Sequence, residues 1–354
     1  LIRRYFVQNT TLPPYSHGGD IWNHPAAVDF SANLHPLGMP PEVAEALRAS
    51  VEAAVNYPDP FCTQLRRAIA HGQGVEAEEV ICGAGAADLI YRLCLTLRPQ
   101  NALVTAPTFS EYAQALALTG CTPRRFLLHP ENQFDLGEDF LDALTPELNM
   151  VFLCTPNNPT GRCVPLPLLR RIADRCEAIG AHLVLDECFI HLTDCPSALE
   201  LLRDHPHLFL LRAFTKTYAI PGLRLGYGLS IDGDLLSALY DAGPPWAVST
   251  AALTAGLAAC ACTHWAERGR ALLREERPRL VRALRALGLT VWEGEANYLL
   301  FCAGCTDLRE RLLKKDILIR ACAGYAGLGP DYYRVCVRTG PENERLLYAL
   351  KEVL

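Results

Sequence analysis

Arg212-Ala213-Phe214-Thr215-Lys216-Thr217-Tyr218-Ala219-Ile220-Pro221-Gly222-Leu223-Arg224-Leu225-Gly226-Tyr227 follows the apolar run Leu208–Leu211, and its spacing decides how the chain is read. An apolar run that ends in a hydroxyl residue and a lysine reads as a strand delivering an amine to a sheet edge. A lysine amine condenses with aldehydes, and pyridoxal 5'-phosphate (PLP) is the aldehyde cofactor that enzymic lysines hold. Eight residues on, Arg224 stands just past a Pro-Gly turn. Together with Thr215 it offers the fork and the hydroxyl that phosphate oxygens favour.

Working outward, Leu183-Val184-Leu185-Asp186-Glu187 is a short apolar run ending in acid, thirty residues before Lys216. In open α/β sheets ligands sit at the carboxyl ends of parallel strands. An acid there can pair with a protonated pyridine nitrogen. Val151-Phe152-Leu153-Cys154 leads into Thr155-Pro156-Asn157-Asn158-Pro159-Thr160-Gly161, where Asn158 can donate to a ring oxygen. Val80-Ile81-Cys82-Gly83-Ala84-Gly85-Ala86-Ala87 runs into a helical pattern through Leu89, Ile90, Leu93 and Leu97. That arrangement leaves amide groups open to phosphate at a helix N-terminus.

These four segments, in this order, resemble the fold-type I PLP enzymes of the aspartate aminotransferase superfamily, from about residue 17 to the C-terminus. The resemblance implies an α/β fold with a mostly parallel central sheet and a smaller α+β C-terminal domain. It implies Lys216 as the PLP lysine, Asp186 as the pyridine-nitrogen partner and Asn158 as the 3'-oxygen donor. Gly85, Ala86, Ala87, Thr215 and Arg224 fall where the family holds the phosphate, and Phe109 where an aromatic covers the ring. Tyr57 falls where a tyrosine reaches the neighbouring subunit's phosphate, which implies a homodimer with shared sites. Arg334 falls where an arginine takes the substrate carboxylate.

A narrower resemblance rests on His17-Gly18-Gly19, Asp29-Phe30-Ser31-Ala32-Asn33 with Pro36-Leu37-Gly38, Ala296-Asn297-Tyr298-Leu299-Leu300, Ile317-Leu318-Ile319-Arg320 and Asn343-Glu344-Arg345-Leu346-Leu347. These look like the threonine-phosphate decarboxylases of cobalamin biosynthesis. By that resemblance His17, Gly18, Asn33 and Arg320 join Asn158 and Arg334 around a phospho-amino acid, the two arginines expected far apart. The activity implied is decarboxylation of O-phospho-L-threonine. O-phospho-L-serine, related phosphorus-bearing amino acids and a histidinol-phosphate-type aminotransferase remain alternatives, because the cofactor motifs serve all of them. Three positions depart from the pattern. His35 replaces an asparagine and leaves the exact substrate in doubt. Ala213 replaces a serine or threonine, and Phe189 a tyrosine common among aminotransferases.

The composition fits a large globular enzyme. Of 354 residues, 50% are hydrophobic and 20% charged, enough for about two domains. Expected divisions are an arm over 1–40, a large PLP-binding domain over 41–231 and a small domain over 232–354. The net charge of −6 argues against a nucleic-acid surface. The Arg279–Arg285 cluster reads as the solvated side of a helix. Fifteen cysteines, scattered in apolar runs, read as free small hydrophobes of a reducing cytoplasm. Cys302-Ala303-Gly304-Cys305 has no second pair at zinc-finger distance, so no metal is expected. The opening apolar run is too short for a secretory core and no stretch is long enough to span a bilayer, so a cytoplasmic location without membrane partners is expected.

Overall fold

The computed structural model describes residues 17–354; the first sixteen residues of the expected arm, Pro13-Pro14 among them, lie outside the described residues. Thirteen strands follow in chain order: β1 Val28–Asp29, β2 Val80–Gly83, β3 Ala102–Ala106, β4 Arg124–Leu127, β5 Met150–Cys154, β6 His182–Asp186, β7 Leu208–Ala213, β8 Gly226–Leu229, β9 Thr290–Trp292, β10 Tyr298–Cys302, β11 Ile317–Leu318, β12 Arg320–Ala321 and β13 Tyr332–Cys336. The helices are α1 Pro41–Ala49, α2 Thr63–Gln73, α3 Ala86–Leu97, α4 Glu111–Leu118, α5 Leu166–Ile179, α6 Phe214–Thr217, α7 Gly233–Asp241, α8 Thr250–Ala261, α9 Thr263–Ala286, α10 Leu308–Leu313 and α11 Gly340–Val353.

Seven strands form one sheet in the order β2-β8-β7-β6-β5-β3-β4. Strands β7, β6, β5, β3 and β4 run parallel, and β8 is antiparallel to both β7 and β2. The five strands β2, β3, β5, β7 and β8 are buried along their whole length. Burial on both faces is why they read as continuous apolar runs instead of alternating ones. Strand β4 escaped the sequence reading for the opposite reason: Arg124, Arg125 and Leu127 are exposed on an edge, so its composition carries no apolar run.

The register lines up the sheet's functional edge. Cys154 pairs with Asp186, Asp186 with Leu211, Ala213 with Gly226, and Gly226 with Gly83. Every segment singled out in the sequence therefore leaves the sheet at the same edge, including the antiparallel β8, whose first residue lies there.

A second sheet of four antiparallel strands, β12-β13-β10-β9, packs with α9, α10 and α11 around Phe301, Leu312, Tyr333 and Leu346. Strand β1 pairs in parallel with β11, so the segment before α1 is pinned to this smaller body. The stretch 233–286 is three helices, α7, α8 and α9. Gly243-Pro244-Pro245 cannot continue a helix, and Ser249 caps the next one by accepting from Ala252 N. Leu235, Leu236 and Leu239 of α7 and Ala252, Ala255 and Ala259 of α8 pack into the cores flanking the large sheet.

The free-thiol reading of the cysteines needs one correction. Cys163 and Cys195 are disulfide-bonded, joining the loop after β5 to the loop after β6. The Cys302 thiol meets Asp331 Oδ2 at 2.9 Å, and Cys305 Sγ accepts from Arg311 Nη2 at 2.9 Å.

Candidate active site

The helix N-terminus foreseen at Gly85 is present. Gly85 is the N-cap of α3 with φ +85°, and Asp88 accepts from Ala84 N at 2.9 Å to hold the turn. A Cβ on Gly85 would lie 2.5 Å from Arg224 Nη2, and one on Gly226 would lie 2.4 Å from Ala86 N. Glycine is therefore required at both positions: one lets the Arg224 guanidinium close over the helix start, the other lets β8 lie against it. Arg224 itself has φ +54° and is braced by Nη1 donating to Pro221 O at 3.1 Å. The result is an exposed guanidinium facing free amides at the positive end of a twelve-residue helix, a donor set suited to a phosphate. Ala86 and Ala87 form the first turn, and Thr215 is buried in α6 beside Lys216.

Lys216 is half-buried. Burial lowers its pKa to about 8, and the guanidinium groups of Arg334 and Arg224 push in the same direction. A neutral, nucleophilic amine is therefore accessible near physiological pH. Asp186 is buried at the end of β6. Its Oδ2 accepts from the Tyr112 hydroxyl at 2.6 Å and its Oδ1 from Cys188 N at 2.9 Å. Burial raises its pKa against the opposing pull of these bonds and of Lys216. A carboxylate held this way is costly unless a cation stands in front of it, as a protonated pyridine would. Together with the phosphate cradle, this donor set fits PLP.

Asn158 is buried beyond β5, and its Oδ1 accepts from the Tyr325 hydroxyl at 3.2 Å and from Arg334 Nη1. Phe109 meets Tyr112 edge-on at 5.6 Å between centroids and lies 6.5 Å from the His17 ring. His17 Nε2 approaches Glu111 at 3.2 Å. Gly18 must be glycine, since a Cβ would meet Ser31 O at 2.3 Å. Asn33 is buried, and its Oδ1 has no hydrogen-bond partner among the described residues. Arg334 Nη2 donates to Ser31 O at 2.8 Å, tying β13 to the same opening segment.

The expected separation of the two substrate arginines is wrong. Arg320 on β12 and Arg334 on β13 are direct cross-strand partners, because the short β12 folds back beside β13. Neither has a carboxylate partner within salt-bridge distance among the described residues. Tyr57 is not in this cleft. It is 81% exposed and stacked on Trp246 at 4.6 Å.

The His35 ring makes its contacts with the start of α9. The ring is buried, stacked on Trp265 at 5.2 Å, with Nε2 3.0 Å from Trp265 O and Nδ1 accepting from Leu37 N. Burial lowers its pKa to about 4. The neutral ring is a packing element against α9, where a Cβ on Gly269 would come within 2.3 Å of it. Ala213 and Phe189 share an apolar cluster with Cys188, Ala296 and Tyr298. Sequence reasoning did not assign Tyr112 or Tyr325 to the site. Tyr112 carried a usable signal, three residues after Phe109 at the start of α4.

Residues 25–353 match the model of the family described as aminotransferase class I and II. The chain is 42% identical over 351 residues to the threonine-phosphate decarboxylase of Salmonella typhimurium, covering 96% of each chain. It is 33% identical to the histidinol-phosphate aminotransferase of Symbiobacterium thermophilum, covering 92% of this chain and 90% of that one. Among solved structures, the histidinol-phosphate aminotransferase from Clostridium acetobutylicum superposes with a TM-score of 0.85 at 25% identity, over 92% of this chain and 98% of that one.

Proposed function

We propose that this chain, which belongs to the aminotransferase class I and II family, is a PLP-dependent decarboxylase of O-phospho-L-threonine. The product is (R)-1-aminopropan-2-yl phosphate, a building block for cobalamin biosynthesis. PLP, when bound, supplies a conjugated electron sink beside the substrate's Cα; the chain's own residues decide which bond feeds it.

Lys216 holds the cofactor, Asp186 keeps its ring nitrogen protonated, and Asn158 donates to its ring oxygen. Gly85, Ala86, Ala87, Thr215 and Arg224 hold its phosphate, and Phe109 covers one face. The observation that carries the substrate reading is the cross-strand pair Arg320 and Arg334. Like charges directly opposite on a sheet repel, so the pair suits a substrate with two anionic groups. Arg334 takes the carboxylate; Arg320, with His17, Gly18 and Asn33, takes the phosphate. Two anchors on one small molecule fix the rotation about Cα, so remote binding energy sets which bond is aligned for cleavage. After carbon dioxide departs, the Lys216 Nζ or a water beside it returns a proton to Cα.

The 42% identity to a threonine-phosphate decarboxylase, against 33% to a histidinol-phosphate aminotransferase, supports carbon dioxide release over amino transfer. Tyr57, stacked on Trp246, is exposed together with Val51, Val55 and Phe61 of the same stretch of chain, and exposed apolar side chains of this size favour a partner surface. A two-fold homodimer that brings Tyr57 to the partner's cofactor phosphate accounts for it. The enzyme is assigned to the cytoplasm. Its division into an arm over 1–40, a large PLP-binding domain over 41–231 and a small C-terminal domain over 232–354 is part of the same proposal.

Product identity tests the reading. Purified holoenzyme given O-phospho-L-threonine should release one carbon dioxide and one phospho-amine per substrate consumed. Stoichiometric keto-acid formation in the presence of 2-oxoglutarate, without carbon dioxide, would overturn it. Turnover of O-phospho-L-serine at equal kcat/KM would place the substrate elsewhere in the same class.

A further inference from the structure

Tyr325 stands at the meeting point of three residues already assigned to the site. Its hydroxyl donates to Asn158 Oδ1 at 3.2 Å and accepts from Arg334 Nη1 at 3.2 Å. The guanidinium of Arg320 lies 5.6 Å from its ring centroid. The residue belongs to the turn-rich segment Cys322-Ala323-Gly324-Tyr325-Ala326-Gly327-Leu328-Gly329 between β12 and β13. That loop is internally tied: Tyr325 N donates to Cys322 O at 3.0 Å and Leu328 N to Tyr325 O at 3.1 Å. Gly327, with φ +88°, approaches the Ala106 carbonyl and Pro107 at the end of β3. The loop therefore reaches from the small sheet to the functional edge of the large one, and Tyr325 is the side chain it delivers.

The chemistry turns on the amide of Asn158. An asparagine amide can be turned either way, and only its nitrogen can donate to the cofactor's ring oxygen. Two donors converge on Oδ1, the Tyr325 hydroxyl and Arg334 Nη1, so the nitrogen must face the opposite way. Phe189 offers no second hydroxyl where many aminotransferases have tyrosine, so the burden of that donation falls on Asn158. When a substrate carboxylate engages Arg334, the guanidinium has a competing anion to satisfy. Tyr325 then remains as the donor that keeps the amide from flipping.

We propose that Tyr325 is a positioning residue that acts through two distinct parts. Its hydroxyl locks Asn158 with the amide nitrogen toward the cofactor's ring oxygen, and its ring supports Arg320 for the substrate phosphate. The second part rests on the substrate reading above; the first rests only on PLP being the cofactor.

The two parts separate in two variants of the full-length holoenzyme. Tyr325→Phe keeps the ring and removes the hydroxyl. A donor aimed at the ionised ring oxygen lowers the pH at which the bound cofactor's visible absorbance titrates. Its loss should raise that midpoint by about half to one pH unit. The kcat should fall roughly three- to tenfold, with the KM for O-phospho-L-threonine within about twofold of the parent. Tyr325→Leu should show the same spectral shift and, in addition, a KM raised by about three- to tenfold. Against an Asn158→Ala background the Tyr325→Phe shift should vanish, because the hydroxyl acts only through that amide. An unchanged absorbance midpoint in Tyr325→Phe overturns the first part, as does a shift that persists in the Asn158→Ala background. Equal KM values for the two variants overturn the second. If the parent enzyme releases no carbon dioxide from O-phospho-L-threonine, the substrate reading and the second part fail together, and the absorbance titration still decides the first. Should Tyr325→Phe not fold, the hydroxyl is holding the loop, and retention of the parent midpoint in an Arg334→Lys variant would be required for the first part to stand.

Discussion

The two walls of the cleft are built on opposite principles. On the large-sheet wall the Asp186 carboxylate stands at a strand end and is met by donors supplied by the chain, Tyr112 and Cys188 N, while Arg224 and the α3 N-terminus stay open as donors for the cofactor's phosphate. On the small-sheet wall two cations are placed opposite each other, and neither has a carboxylate within salt-bridge distance among the described residues. The first wall is organised for a permanent resident and the second for a transient dianion. Preorganised charge of this second kind costs stability until the ligand arrives.

That contrast orders the expected effects. Lys216→Ala should be the most damaging change, lowering kcat by on the order of 10⁴-fold. Borohydride treatment should fix the cofactor to the parent protein at Lys216 by peptide mass and leave the variant unlabelled; label at a native position in the variant would remove Lys216 from its role. Asp186→Asn should follow. The amide still accepts from Tyr112 or Cys188 N, so the fold should persist with an unchanged melting temperature. Breaking a buried charge pair costs on the order of 3–5 kcal/mol, or roughly 10²- to 10³-fold in kcat. A loss under tenfold would mean that the ring nitrogen has another partner.

On the opposite wall, Arg320→Gln should separate function from stability in a way no large-sheet variant can. The KM for the phosphorylated substrate should rise roughly 10- to 100-fold, as for a charged hydrogen bond worth about 1.5–3 kcal/mol. In the absence of substrate the variant should melt slightly higher, since removing one of two opposed cross-strand charges relieves roughly 0.2–1 kcal/mol of repulsion. A lower melting temperature with unchanged KM would make Arg320 a structural residue and dissolve the contrast between the walls.

A pH experiment sharpens the same comparison. Burial first, then Arg334 and Arg224, holds the Lys216 amine at about 8 instead of its ordinary 10.5. Capture of PLP by the apoprotein requires the neutral amine, so its rate should climb as pH rises and level off above about 8. Because Arg334 on the small-sheet wall contributes to the lowering, Arg334→Gln should move that midpoint upward. A midpoint indifferent to Arg334 would show that the two walls do not sense each other before substrate binds.

The difference between the walls also explains what could be read in the sequence. Lys216, Asp186, Asn158 and Gly85 each follow a run of buried apolar residues, and strand ends in a parallel sheet converge by topology. Four local motifs therefore define a three-dimensional site without further information. The small-sheet wall has no such rule. Arg320 and Arg334 are fourteen positions apart, and their adjacency depends on a two-residue strand folding back through a glycine-rich loop, a register no periodicity announces. Tyr325 lies in that loop, between β12 and β13. His35 failed in the other direction: a polar residue inside a matching motif suggested chemistry, while its environment against Trp265 and Gly269 is a packing contact made through a neutral ring. The edge strand β4 was lost to composition, being too charged to show an apolar run.

The smallest effect expected is at Ala213, and it probes how complete the large-sheet wall is. Ala213 ends β7, opposite Gly226, and lies in the apolar cluster with Phe189 and Tyr298, with Ala86 packed against it. Ala86 opens the helix whose N-terminus faces Arg224. A hydroxyl at position 213 would thus stand at the rim of the phosphate cradle. Serine adds little volume, so Ala213→Ser should fold normally and gain one neutral hydrogen bond, worth about 0.5–1.5 kcal/mol. That corresponds to roughly two- to tenfold tighter PLP, measured by equilibrium dialysis of the apoprotein, with kcat at saturating cofactor unchanged. Weaker binding would mean that the apolar cluster tolerates no hydroxyl. In that case alanine is the residue this wall requires, and the phosphate is held by the α3 N-terminus, Thr215 and Arg224 alone.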